Sequence, residues 1–120
     1  MKTVLIVDDM KTQLDLMNRY LDEAGYKVLT ASDALEALNK VSEHQPDVII
    51  TDLVMPDMSG LEFCRKLKKD SATANIPVIA CSTKNRSMDQ KWAMKQGVAA
   101  YVVKPYSKEE IVEAVKGLIN

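Results

Sequence analysis

The stretch Asp47-Val48-Ile49-Ile50-Thr51-Asp52-Leu53-Val54-Met55-Pro56 reads as a buried strand that ends in a carboxylate and runs into a proline-marked loop. Two further segments repeat this design. Thr3-Val4-Leu5-Ile6-Val7 ends in the acidic pair Asp8-Asp9, and Ala100-Tyr101-Val102-Val103 ends in Lys104-Pro105. The runs are nearly continuous in apolar residues rather than alternating, so helices are expected on both faces of the sheet they form. Three carboxylates and a lysine at the ends of parallel strands would meet at one sheet edge. Open α/β sheets place their chemistry at that edge.

Between these strands the hydrophobic period changes from strand-like to helical. From Lys11 to Ala24, Leu14, Met17, Leu21 and Ala24 share one helical face, and Gly25 supplies a stop. Lys27–Ala31 is a short second strand. Asp33 then caps a helix carrying Leu35, Leu38 and Val41, with Glu36 at the capping-box position. Gly60 opens a helix with Leu61, Cys64 and Leu67 in register and lysines in its last turn, where the helix dipole favours them. Ile76–Cys81 is the fourth strand, with Pro77 at its start. A more polar helix follows from about Ser87 to Gln96, and Gly97 ends it. Ser107-Lys108-Glu109-Glu110 opens a last helix with Ile111, Val112, Val115, Leu118 and Ile119 on its apolar side. Five βα units joined by right-handed crossovers predict a three-layer α/β sandwich around a parallel sheet.

Bulk composition bounds the rest. A chain of 120 residues with 47% hydrophobic and 28% charged residues fits one globular domain, here 1–120. A formal net charge of −1 gives no general drive toward nucleic acid or an anionic membrane. The first strand starts within two residues of Met1, leaving no room for a signal peptide, and no apolar run could cross a bilayer, so a cytoplasmic location is expected. Cys64 and Cys81 sit in apolar patterns and read as reduced core thiols.

Converging carboxylates repel one another, and such a cluster persists when something offsets the repulsion. Asp8, Asp9 and Asp52 supply hard oxygens suited to Mg²⁺, which keeps waters and adds a phosphate oxygen of a substrate. Lys104 supplies a fixed positive charge from the other side. Such a site can accept a phosphoryl group by positioning and charge neutralisation, with a carboxylate as the nucleophile.

Asp8-Asp9, then Asp52 with Met55-Pro56 and Gly60 behind it, then Ser82, then Lys104-Pro105 resembles the receiver domain of two-component response regulators over the whole chain. The resemblance implies a flavodoxin-like (βα)5 fold of strand order 2-1-3-4-5. It implies Asp52 as phosphoacceptor, served by a histidine kinase or histidine phosphotransfer protein. It implies Mg²⁺ (or Mn²⁺) bound by Asp9, Asp52 and the backbone carbonyl of Val54, with Asp8 acting through a water and Lys104 pairing with the phosphoryl oxygens. Ser82 and Tyr101 take the switch positions, with signalling through the surface of the fourth helix, fifth strand and fifth helix to a separate effector. The implied protein is a signalling monomer rather than an enzyme, with dimerisation on phosphorylation as an alternative.

Thr83 departs from the family, which more often has a small residue there. It would crowd the phosphoryl pocket, and it is the alternative to Ser82 as the moving hydroxyl. Lys91-Trp92-Ala93-Met94-Lys95-Gln96-Gly97, with Thr83-Lys84 before it, is similar to receivers of chemosensory systems that control type IV pilus motility. Nothing follows the fifth helix, so a stand-alone receiver is expected, with a fragment of a larger DNA-binding regulator as the alternative. An aspartyl-phosphate hydrolase of the haloacid dehalogenase type would need a second acid where this chain has Val54, and an FMN binder would need a hydroxyl-rich loop in place of Asp8-Asp9-Met10. Other residues take ordinary readings: His44 as a solvated loop residue, Trp92 as a packing residue, and the methionines at 17, 55, 58, 88 and 94 as gap fillers.

Overall fold

Each apolar run forms a parallel strand followed by a helix. The computed structural model describes residues 1–119 as β1 (Thr3–Val7), α1 (Lys11–Glu23), β2 (Lys27–Ala31), α2 (Ala34–His44), β3 (Val48–Asp52), α3 (Gly60–Lys69), β4 (Val78–Ser82), α4 (Ser87–Lys95), β5 (Ala100–Val103) and α5 (Lys108–Ile119). The sheet order is β2-β1-β3-β4-β5, the expected flavodoxin-like arrangement.

Alternation along the strands explains the two layers. In β1, Leu5 and Val7 enter a core with Ala37, Val41, Phe63 and Leu67 from α2 and α3. Val4 and Ile6 enter a second core with Met17 and Leu21 of α1 and Ile111 and Val115 of α5. Successive side chains on a strand point to opposite faces, so a strand covered on both sides must be apolar at every position.

Polar caps mark where the helices start. Asp33 accepts from the Glu36 N–H at 2.7 Å, while the Glu36 carboxylate reaches back one residue further than a simple box, to the Ser32 N–H at 2.8 Å. Ser107 and Glu110 form the reciprocal pair, each backbone N–H donating to the other's side chain at 3.1 Å. Ser59 caps α3 by accepting from the Glu62 N–H at 3.1 Å. Gly25 and Gly97 end α1 and α4 with positive φ of 95° and 102°, a region that costs glycine nothing.

Four expectations shift, and the first is His44, which closes α2 rather than lying in a loop. β4 runs from Val78 to Ser82 rather than Ile76–Cys81, because Pro77 has no N–H for the ladder and contributes only its carbonyl, which accepts from Ile49. Trp92 is 56% exposed and not a packing residue. Met88 and Met94 are likewise exposed. α4 has one buried anchor, Ala93, so its other side chains are free of the core.

Gly60 positions the end of β3. Its N–H donates to the Leu53 carbonyl at 3.0 Å. A Cβ there would lie 2.1 Å from the Asp52 carbonyl oxygen and 2.9 Å from the Leu53 Cα, both backbone atoms. Gly60→Ala should therefore cost about 2 kcal/mol of stability. Gly117→Ala, with nothing within 4 Å of the new Cβ on α5, should gain about 0.5–1 kcal/mol. Urea unfolding midpoints of the two variants check both signs.

Candidate functional site

Register decides which side chains meet. Val7 pairs with Thr51, Asp52 with Cys81, and Ser82 with Val103. Asp8 therefore follows β1 level with Asp52, and Lys104 follows β5 one step beyond Ser82. The Lys104 N–H continues the ladder to the Ser82 carbonyl at 2.8 Å. Asp8, Asp52 and Lys104 converge at the carboxyl edge of the sheet.

The Lys104 ammonium lies between two carboxylates, 2.9 Å from Asp8 Oδ2 and 3.3 Å from Asp52 Oδ2. Asp8 is buried; Asp52 is half-buried and Asp9 exposed. Asp8 is held from its other oxygen by the Met10 N–H at 3.0 Å, and Asp52 from its other oxygen by the Val54 N–H at 3.2 Å. Burial pushes the Asp52 carboxyl above its ordinary pKa, against the Val54 hydrogen bond and the Lys104 charge. Burial works against a charged Lys104, but the hydrogen bond to Asp8 and the Asp52 and Asp8 charges outweigh it, so its pKa is raised. The two carboxylates thus keep Lys104 charged. The neighbouring Cys81 thiol is pushed up by burial to about 12, so it stays protonated.

Asp8, Asp9 and Asp52 each offer a carboxylate oxygen, all within 4.8 Å of one another. The cluster contains no imidazole or thiolate, and hard oxygens open to one side are the donor set that Mg²⁺ prefers. The residues fit that cation, in keeping with the acidic pocket by which receiver domains bind it. Val54 sits at the rim on the loop that leaves β3 and is 63% exposed.

The Ser82 side chain is buried and turned toward the loop after β4, where its hydroxyl accepts from the Lys84 N–H at 3.1 Å. Thr83 is exposed at the same cleft. The Tyr101 hydroxyl donates to the Lys84 carbonyl at 2.8 Å, and burial raises its pKa. Ser82 and Tyr101 thus grip the same residue, one at its N–H and one at its carbonyl.

Asp8, Asp9, Asp52, Val54, Ser82 and Lys104 lie at this edge, whereas Tyr101, within β5, pairs with Ala80 and reaches the loop above the edge only through its hydroxyl. The cleft above Asp52, about 560 Å³, adds Met10, Gln13 and Leu16 from the start of α1 and Tyr106 after Lys104-Pro105. These four were not anticipated. The helical spacing of Gln13 and Leu16 is visible in the sequence, but nothing in it says that this end of α1 reaches the cleft.

The response regulator receiver domain family matches residues 4–116. The chain is 33% identical to Protein PilH of Pseudomonas aeruginosa over 119 residues, covering 99% of this chain and 98% of that protein. It is 32% identical to the alkaline phosphatase synthesis transcriptional regulatory protein PhoP of Bacillus subtilis, covering 49% of it. Chemotaxis protein CheY4 of Vibrio cholerae superimposes with a TM-score of 0.93 at 31% identity, over 98% of each chain. The chain belongs to the response regulator receiver domain family, a family of signalling domains that interact with histidine kinases and downstream effectors.

Lys104→Met would leave Asp8 and Asp52 facing each other without a counter-charge. Removing one partner of such a buried set should cost about 3 kcal/mol near pH 7. Without Lys104, the Asp52 pKa rises further above its unfolded value, and a raised carboxyl destabilises as pH climbs through it. The deficit against wild type should therefore shrink as pH falls from 7 toward 4. Thermal melts of both proteins across that range, in metal-free buffer, check the sign.

Proposed function

We propose that the chain is a phosphoacceptor whose Asp52 takes a phosphoryl group from a phosphohistidine on a kinase or phosphotransfer protein. The observation that carries this is the Lys104 ammonium, held between Asp8 and Asp52 at the mouth of an open cleft. Asp52 Oδ attacks phosphorus, the P–N bond of the donor breaks, and an acyl phosphate forms. Asp9, Asp52 and the Val54 carbonyl would hold Mg²⁺ (or Mn²⁺), with Asp8 acting through a water. The cation supplies neutralising charge to the transferring oxygens. Lys104 turns from the carboxylates to a phosphoryl oxygen.

The readout follows from the two bonds on Lys84. A phosphoryl oxygen offers the Ser82 hydroxyl a charged acceptor in place of its present link to the Lys84 N–H. That change alters the loop to which Tyr101 is bonded and reshapes the α4-β5-α5 surface for a separate effector. Ser82 suits this role better than Thr83, since it is the buried last residue of β4 while Thr83 is an exposed residue of the loop that follows. The protein is a signalling switch that assists its own phosphorylation and dephosphorylation, and is not a metabolic enzyme.

Similarity to a chemotaxis protein over nearly full length supports a stand-alone receiver, residues 1–120, in a chemosensory pathway. The resemblance of Lys91–Gly97 supports the pilus-motility branch. No described helix is long and apolar enough to cross a membrane, which agrees with a cytoplasmic place of action. A second reading, a receiver joined to a DNA-binding output, is favoured by the match to half of a transcriptional regulator.

Incubation with acetyl phosphate and Mg²⁺ should add one phosphoryl mass to wild type and none to Asp52→Asn, read by intact mass spectrometry. Lys104→Met should accept phosphate but show no change in Trp92 emission. Equal labelling of wild type and Asp52→Asn would remove Asp52 from the mechanism.

A further inference from the structure

Tyr106 stands where Lys104-Pro105 leads into α5. Its ring packs in the core between the sheet, α1 and α5, in a cluster with Met17, Leu21 and Ile111. It also borders the cleft above Asp52. Tyr20 of α1 meets it edge-on, with ring centroids 6.3 Å apart and planes at 76°. The residue is 9% exposed, and its hydroxyl is the one buried side-chain nitrogen or oxygen without a hydrogen-bond partner among the described residues. A buried hydroxyl with no acceptor carries the full cost of leaving water. Nearly every buried polar group in a protein is paired, so an unpaired one beside a functional cleft asks for a role. Packing does not supply that role. A phenylalanine would fill the same space without the penalty.

Burial, foremost, and the nearby Cys81 and Asp8 push the phenol's pKa up, so the hydroxyl keeps its hydrogen and is a donor in need of an acceptor. Acceptors lie on the cleft side. Each Oδ of Asp8 and Asp52 already takes one donor, from Met10, Val54 or Lys104. A phosphoryl group on Asp52 adds three strong acceptor oxygens to the same cleft. Turning about its Cα–Cβ bond to another staggered position carries the Tyr106 hydroxyl out of the core, and a cleft of about 560 Å³ has room for the ring.

We infer that Tyr106 is a further donor for the phosphoryl group: its ring leaves the α1–α5 core when Asp52 is phosphorylated, and its hydroxyl bonds a phosphoryl oxygen. The inference rests on the phosphoacceptor role proposed above. Leaving the core forfeits the edge contact with Tyr20 and opens a space beside it. Against that loss stand the relief of an unpaired hydroxyl and a bond to a charged oxygen, about twice as strong as a neutral one. Without the phosphoryl group the second gain is missing, and the ring stays in. The exit of Tyr106 frees Tyr20 on α1. The state of Asp52 is then reported on the α1–α5 side as well, by a route separate from Ser82, Lys84 and Tyr101.

The test compares the full chain as wild type, Tyr106→Phe and Tyr26→Phe, the last removing a hydroxyl from another buried ring away from the cleft. Without ligand, Tyr106→Phe should unfold at a urea midpoint equal to or above that of wild type, since the hydroxyl it lacks has no partner. With Mg²⁺ present, beryllofluoride should bind Tyr106→Phe about tenfold more weakly than wild type, read by fluorine NMR. Tyr26→Phe should bind it as wild type does. Nuclear Overhauser cross-peaks between the Tyr20 and Tyr106 rings should be present in free wild type and lost when beryllofluoride is added. A lower urea midpoint for Tyr106→Phe, equal affinity of Tyr106→Phe and wild type, a similar loss in Tyr26→Phe, or retained cross-peaks would each overturn the inference and leave Asp52 as phosphoacceptor. Wild type that binds no beryllofluoride and takes no phosphoryl group from acetyl phosphate would defeat the phosphoacceptor reading, and the inference with it.

Discussion

The ammonium of Lys104, shared between Asp8 and Asp52, is the contact on which the functional edge depends. Carboxylates brought together at the ends of adjacent strands repel, and burial raises the cost of keeping Asp52 charged. Lys104 offsets both effects, and it can do so only because β1, β3 and β5 end at the same level of one sheet. The sheet in turn is aligned by two cores, one on each face. Packing thus fixes a charged triad to within hydrogen-bonding distance without any loop having to be rigid by itself.

Around that triad the backbone carries the connections. Asp52 is bonded to the N–H of Val54, Asp8 to that of Met10, and Ser82 to that of Lys84. Each acceptor at the edge therefore holds the first turn of the loop that follows its own strand. Changing the charge at Asp52 alters what those N–H groups meet, and the loops lead directly to α1, α3 and α4. The phenol of Tyr101, bonded to the Lys84 carbonyl, adds a link from β5 to the same loop.

The strands and their ends were readable from local pattern because the signal is strong there. A charge terminating an unbroken apolar run is rare, three such runs mark one sheet edge, and five strands separated by helical spacing leave few topologies. The capping residues Asp33 and Ser107 were readable for the same reason. α4 was not. It buries only Ala93, so its hydrophobic period is weak, and Trp92, read as a packing residue, lies exposed instead. The β4 boundary shifted by one proline, since which backbone group pairs with which depends on the neighbouring strand.

By itself the sequence determined the fold class, the layer covering each strand face, and the identity of the residues at the sheet edge. These follow from period and polarity, which are local properties of the chain. Tertiary structure alone decided the distances among Asp8, Asp52 and Lys104, the shared hold of Ser82 and Tyr101 on Lys84, and the exposure of Trp92 above Val54 and Leu61. Those depend on strand register and on how helices far apart in sequence pack. No local pattern encodes the separation of side chains 44 to 96 positions apart along the chain.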